Sequence, residues 1–272
     1  MIKMVLNIAH RGARSVAPEN TLVAAQKAYD LGAHMLETDV GVSKDGELII
    51  FHNDSLIKTT DAEHRFPDRS PWTFTSFTLE EIKSLDAGSW FVNTDPHQEI
   101  AAGNISQNDL NRFVGLKVPT VTETIQLIQK LNWKVNLELK IQPEAMKNFP
   151  VVDHLLDEIE RLQFSKDQFL ISSFNHDWLR EIQKKKPEYQ IEALVGYPEV
   201  DAINWRNFEF ESYNVNRNLT TPEEIRAVIN KGYKIGMFNI DSQEDFIQFI
   251  EAGAIRIITD YPQIMTEMGY HR

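Results

Sequence analysis

The chain has 272 residues, 42% of them hydrophobic, with 40 acidic against 28 basic side chains for a formal charge of −12, and no cysteine. That is enough apolar material for one large core, and α/β barrels of this length form single domains. The acidic balance opposes general nucleic-acid binding, because the phosphate backbone repels such a surface, and without cysteine there is no disulfide framework and no thiolate ligand or nucleophile.

No apolar run approaches the roughly 18 residues of a spanning helix, and the chain enters an apolar strand almost at once, which leaves no room for a charged leader. The expected location is cytoplasmic unless a leader has been removed. From the N-terminus, short β-rich runs alternate with amphipathic stretches, the pattern of parallel βα units. The spacing predicts strands at Met4–Ala9, His34–Val40, Lys134–Lys140, Phe169–Ser173, Ile191–Val195, Glu211–Val215, Lys234–Asn239 and Ile255–Thr259. Helices fit between them at Asn20–Leu31, Val121–Leu131, Val151–Leu162, His176–Lys185, Glu199–Asn204, Pro222–Asn230 and Gln243–Glu251, with a short closing one at Pro262–Met268. Thr221-Pro222-Glu223-Glu224 is a well-formed helix start, with a capping hydroxyl, proline in the first turn and acids at the positive end of the dipole. Such a repeat predicts a (β/α)8 TIM-type barrel occupying residues 1–272 as one domain.

Two segments break the repeat. After the second strand, the run from Gly41 to His52 offers only an Asp45-Gly46 turn before further apolar residues, too short for a parallel crossover, so it reads as a hairpin. The return strand then brings His52 roughly opposite Thr38, beside Glu37 and Asp39. The second break, Ser55 to Pro119, is longer than an ordinary loop and contains Trp72, Phe74, Phe77, Trp90 and Phe91, too apolar for a disordered excursion. We read residues 55–119 as a small insertion capping the barrel mouth.

Barrel active sites form at the C-terminal ends of the strands. His10 and Arg11, Glu37 and Asp39, Glu138 and Lys140, Asn239 and Asp260 all fall there. Residues two apart on a strand share a face, so Glu37 and Asp39 can converge, with Glu138 joining from the neighbouring strand. Converging carboxylates repel unless a cation lies between them, and an all-oxygen set suits Mg²⁺ or Ca²⁺ better than Zn²⁺. Taken singly, each has a plainer explanation: a strand-end acid is often a rim residue or half an ion pair, and Pro18-Glu19-Asn20-Thr21 can be a helix start with Asn20 as its cap. Their convergence favours chemistry. His34, His64, His97, His154, His176 and His271 lack such company and read as surface or structural residues.

Over nearly its whole length the chain resembles the glycerophosphodiester phosphodiesterase family: His10-Arg11-Gly12, Pro18-Glu19-Asn20-Thr21, Glu37-Thr38-Asp39-Val40, Asp45-Gly46-Glu47, His52, Glu138-Leu139-Lys140, Ser172-Ser173-Phe174 and Thr259-Asp260-Tyr261-Pro262. The resemblance implies a metal-dependent phosphodiesterase releasing sn-glycerol 3-phosphate and an alcohol from a small glycerophosphodiester. It also implies one divalent cation, Mg²⁺ or Ca²⁺, at Glu37, Asp39 and Glu138, catalytic histidines at His10 and His52, and phosphate contacts at Arg11 and Lys140. Beside these we read Glu19, Asn20, Phe238 and Asn239 as supporting residues. His52 as general acid and His10 as general base is the assignment we adopt, the reverse being open, with water or the substrate's own glycerol hydroxyl as nucleophile.

The chain departs from the family pattern in reading His52-Asn53-Asp54 where His-Asp is usual, Lys58 where arginine is usual, Gly236-Met237-Phe238-Asn239 where Trp-Thr-Val-Asn is usual, and Ile255-Arg256 where Asp-Gly is common. Two alternatives follow: a phospholipase-D-like activity on lysophospholipids, for which Trp72, Phe74, Trp90 and Phe91 would have to line an acyl groove rather than form the insertion's own core, the reading we favour, or a catalytically silent phosphodiester-binding module. The intact histidines and acids oppose the second.

Overall fold

The computed structural model describes residues 5–196, 203 and 208–272. Its strands are β1 (Leu6–His10), β2 (Met35–Val42), β3 (Leu48–Ile50), β4 (Val135–Leu139), β5 (Phe169–Ser173), β6 (Ile191–Val195), β7 (Ser212–Asn216), β8 (Lys234–Phe238) and β9 (Arg256–Thr259). They are ordered β1-β9-β8-β7-β6-β5-β4-β2-β3, and β1 also pairs with β2. The parallel strands therefore close on themselves, with helices between them, as a (β/α)8 barrel. Only β3 lies outside the ring, antiparallel to β2.

Local chemistry accounts for the boundaries. Thr120 and Thr221 close full capping boxes on the helices Val121–Leu131 and Pro222–Ile229, while Asn175 and Ser242 cap His176–Lys185 and Gln243–Ala252. At the first helix the cap is Thr21, whose hydroxyl accepts from Ala24 N at 3.1 Å. Asn20, the alternative cap, is instead held at φ +54° with its side chain turned into the barrel. The helix expected at Glu199–Asn204 lies outside the described residues apart from Ile203.

The hairpin forms with Val40 opposite Ile50 and Val42 opposite Leu48, and Phe51 N donates to Asp39 O at 2.9 Å. Continued by two residues, that register faces His52 toward Thr38, as the spacing predicted. Residues 55–119 are ordered as helices at Ala62–Arg65, Leu79–Ser84, Ser89–Thr94 and Gln107–Phe113. Their aromatics serve two cores: Phe74 and Phe77 join Phe51 and Leu56 in a small core beside the hairpin, with Trp72 packed against it, while Phe91 is buried in the main core with Trp90 against it.

The barrel interior holds a buried charge. Glu192 on β6 is 1% exposed and pairs with Arg256 on β9, the charge that breaks the family pattern. Ser212 Oγ donates to Glu192 Oε1 at 2.9 Å, Asn214 Nδ2 donates to Oε2, and Arg256 also donates to Ser212. Gly236 makes room: a Cβ there would stand 1.9 Å from Asn214 Oδ1.

Candidate active site

The cluster of greatest charge lies where β1, β2 and β4 adjoin. Register places Glu37 beside His10, and Asp39 beside Glu138, so three carboxylates meet with oxygens all within 4.8 Å of one another. Burial pushes the Glu37 carboxyl well above its ordinary range, with Asp39 and Glu138 adding repulsion, and burial likewise raises Glu138. Burial also opposes ionisation of Asp39, but His52, Arg11 and Lys140 outweigh it and hold that carboxyl low. Glu37 Oε1 is buried with no hydrogen-bond partner. An unmet carboxylate oxygen facing two more acids is the donor set of a hard divalent cation, so these residues fit such an ion.

His10 ends β1 with Nδ1 2.6 Å from Asp260 Oδ1, beside the Asn239 amide, and with Nε2 3.9 Å from Glu37 Oε2. Asp260 is held ionised chiefly because His10 and Arg14 outweigh the cost of its burial. Its carboxylate therefore accepts a hydrogen bond from the His10 Nδ1–H, leaving the Nε2 lone pair toward the acids. Burial, with Arg11 nearby, lowers the His10 pKa. His52 is lowered to about 4 by burial, with Arg11 and Lys140 adding to it and Asp39 opposing. A His52 pKa near 4 leaves that ring neutral at pH 7 in the free protein.

The chain reverses sharply after β1, with Arg11 at φ +55° and Gly12 at φ +87°. A Cβ on Gly12 would fall 2.6 Å from the Ala24 backbone carbon, so the turn requires glycine. It aims Arg11 N at Glu37 Oε2, 3.0 Å away, and the guanidinium at Glu19 Oε1 (2.9 Å) and Asp39 Oδ2 (3.3 Å). Lys140 Nζ lies 3.2 Å from Glu138 Oε1 and 3.7 Å from Asp39 Oδ1. Asn20 Nδ2 donates to Asp39 Oδ2 at 2.8 Å while Asn20 Oδ1 accepts from Thr38 Oγ1 at 2.8 Å, which locks that carboxylate.

A cavity of about 700 Å³ opens over these groups, lined by both histidines, Arg11, Glu37, Glu138 and Lys140. Phe238 and Asn239 line it too, and Phe238 meets Phe174 edge-on at 5.9 Å. The insertion contributes Ser55 and Lys58. None of Trp72, Phe74, Trp90 and Phe91 lines it: their rings pack in the two cores, the reading favoured from sequence over an acyl groove.

Sequence reasoning singled out Asp260 only as a strand-end acid and missed Arg14. Arg14 Nη2 lies 2.7 Å from Glu19 Oε2 and its Nη1 3.1 Å from Asp260 Oδ2. A chain of charges thus runs from Arg11 through Glu19 and Arg14 to Asp260 and His10. The one signal for it was a second arginine three residues beyond the first in a loop that must turn back over β1. His97, read as a surface or structural residue, has its Nδ1 3.3 Å from the Tyr261 hydroxyl and so ties the insertion to the segment carrying Asp260.

Comparison with known proteins agrees with this geometry. The model of the glycerophosphoryl diester phosphodiesterase family matches residues 10–264. A glycerophosphodiester phosphodiesterase of Caldanaerobacter subterraneus subsp. tengcongensis is 31% identical over 268 residues, 97% of each chain. Among solved structures, an Oleispira antarctica phosphodiesterase in complex with sn-glycerol-3-phosphate superposes with a TM-score of 0.76 at 26% identity, covering 96% of this chain and 94% of that one. A glycerophosphodiester phosphodiesterase from Agrobacterium tumefaciens shares the fold at a TM-score of 0.69 and 21% identity, covering 96% of this chain and 98% of that one.

Proposed function

The chain belongs to the glycerophosphoryl diester phosphodiesterase family and hydrolyses glycerophosphodiesters; we propose that it does so in the barrel-mouth cavity, releasing sn-glycerol 3-phosphate and an alcohol. The observation that carries this reading is the meeting, at the floor of one cavity, of three acid oxygens within 4.8 Å of one another with two histidines and the partly buried cations Arg11 and Lys140. Glu37, Asp39 and Glu138 would hold one divalent cation, Mg²⁺ or Ca²⁺. When bound, such an ion neutralises charge on the phosphoryl oxygens during in-line displacement.

His10, its tautomer fixed by Asp260, accepts at Nε2 the proton of the attacking hydroxyl, whether of water or of the substrate's glycerol. The new P–O bond forms as the bond to the alcohol breaks, and His52 delivers a proton to the departing oxygen. Because His52 is neutral in the free protein, it takes up that proton as the diester anion enters. Arg11 and Lys140 pair with the non-bridging oxygens. Glu19 and Asn20 hold Arg11 and Asp39 in place, while Phe238 and Asn239 wall the cavity near His10. The insertion 55–119 caps the mouth. No helix among the described residues is long and apolar enough to cross a membrane, and the substrate is a small molecule.

The test is glycerol 3-phosphate release from glycerophosphocholine by metal-stripped protein, with Mg²⁺ or Ca²⁺ restored and His10→Ala alongside. Release that needs the ion and vanishes in the variant supports the reading. Release without any ion, or undiminished in His10→Ala, refutes it.

A further inference from the structure

The cavity of about 700 Å³ exceeds what a glycerol phosphate fills, so part of it receives the alcohol. If His52 protonates the departing oxygen, the alcohol lies on the His52 side. That side is lined by the segment directly following His52, which contributes Asn53, Asp54, Ser55 and Lys58. Two of these carry opposite charges, and both are exposed to the cavity mouth. Among the described residues, neither the Asp54 carboxylate nor the Lys58 ammonium forms an ion pair or side-chain hydrogen bond, with each other or with anything else. Every other cationic or carboxylate side chain lining this cavity has such a partner.

The segment holding them is rigid. Phe74 N donates to Asp54 O at 3.0 Å, Leu56 N to Trp72 O at 2.9 Å and Ser55 Oγ to Pro71 O at 2.9 Å, while Leu56 is fully buried in the insertion's core. The two charges are thus carried on a fixed backbone at the mouth, and a ligand that meets both need not order the loop to do so.

Building on the function proposed above, we propose that this mouth is a subsite for a zwitterionic amino-acid alcohol. Asp54 faces its ammonium, Lys58 faces its carboxylate, and the preferred substrate is a glycerophosphodiester of the serine class. Hydrolysis adds one water, breaks the P–O bond to the serine oxygen, and yields sn-glycerol 3-phosphate and free serine, whose hydroxyl receives its proton from His52. Ethanolamine engages only Asp54, and a glycerol alcohol engages neither charge. An acyl chain meets neither charge, and covering two unpaired charges with apolar surface is disfavoured.

The experiment is kcat/KM for glycerophosphoserine, glycerophosphoethanolamine and glycerophosphoglycerol with the Mg²⁺- or Ca²⁺-loaded enzyme, for the wild type, Lys58→Gln and Asp54→Asn, with a lysophospholipid as a further substrate. Exposed charge pairs change such ratios by up to about fivefold each. The wild type should favour serine over ethanolamine, and ethanolamine over glycerol. Lys58→Gln should collapse the serine-to-ethanolamine ratio alone, and Asp54→Asn the ethanolamine-to-glycerol ratio. Hydrolysis of all three diesters with ratios near one, unchanged in both variants, overturns the subsite while leaving the phosphodiesterase function standing. A lysophospholipid as the best substrate overturns it in favour of an apolar occupant. No hydrolysis of any diester overturns the function itself, and the subsite with it.

Discussion

Replacing Arg256 by Met tests the charge arrangement inside the barrel. Glu192 is 1% exposed and Arg256 13%, so the carboxylate has no water to fall back on once its partner is gone. Ser212 and Asn214 would still donate to it, but two neutral donors do not neutralise a buried anion, and removing one partner of a buried pair costs about 3–5 kcal/mol. The thioether stem of Met occupies much of the space of the arginine stem, so cavity formation adds little. Pairing the change with Glu192→Gln removes the charge while its oxygen still accepts from Asn214 and its NH2 can donate to the Ser212 hydroxyl, and the double variant should recover most of the loss. The assay is urea denaturation, reading the midpoint at constant m-value, for the two single variants and the double. An Arg256→Met loss below about 1 kcal/mol, or a double variant no more stable than the single one, would show that the buried charge is not what makes Arg256 necessary.

Gly236→Ala should destabilise the same layer by roughly 1–3 kcal/mol, since its Cβ would fall 1.9 Å from Asn214 Oδ1; a thermal midpoint equal to wild type contradicts this. Asp260→Asn should lower kcat about 10²-fold or more with little change in KM, because Arg14 would hold the one amide oxygen and leave the NH2 facing His10 Nδ1, inverting the tautomer, and steady-state kinetics reads both quantities. Burial, with repulsion from Asp260, raises the Asp241 carboxyl to about 6, so between its unfolded value and about 6 the folded protein binds the extra proton. The contribution of Asp241 to wild-type stability should therefore fall as pH rises through that window. Asp241→Asn retains an oxygen for Asp260 N and Thr259 Oγ1 and should not share that fall. Its advantage over wild type should be absent near pH 4 and reach roughly 1–2 kcal/mol by pH 7, after allowing for partial exposure. Parallel stability–pH curves would refute the assignment.

Much of this protein is determined locally. Alternation of β-rich and amphipathic runs set the barrel because period-2 and period-3.6 burial are properties of short segments. The Thr120 and Thr221 capping boxes likewise act within one turn of helix. The acid trio was legible for the same reason: Glu37 and Asp39 share a face by strand pleat, and parallel order brings Glu138 alongside. Even His52 followed from the length of one hairpin.

What tertiary structure alone decided involves partners far apart in sequence with no periodic trace. Asp260 reaches His10 and Arg14 only because β9 closes the barrel against β1. Asn20 is diverted from capping to locking Asp39 because the turn at Arg11-Gly12 carries it inward. The insertion's aromatics were apolar in any reading, but whether they line a groove or fill a core depends on which surfaces pack over them, and here two cores claim them. Arg256 looked anomalous as a single residue; it makes sense only where Glu192, Ser212, Asn214 and the missing side chain of Gly236 enclose it. Composition fixes how much charge and apolar surface a chain must place, and only barrel closure decides which charges end up facing each other out of water.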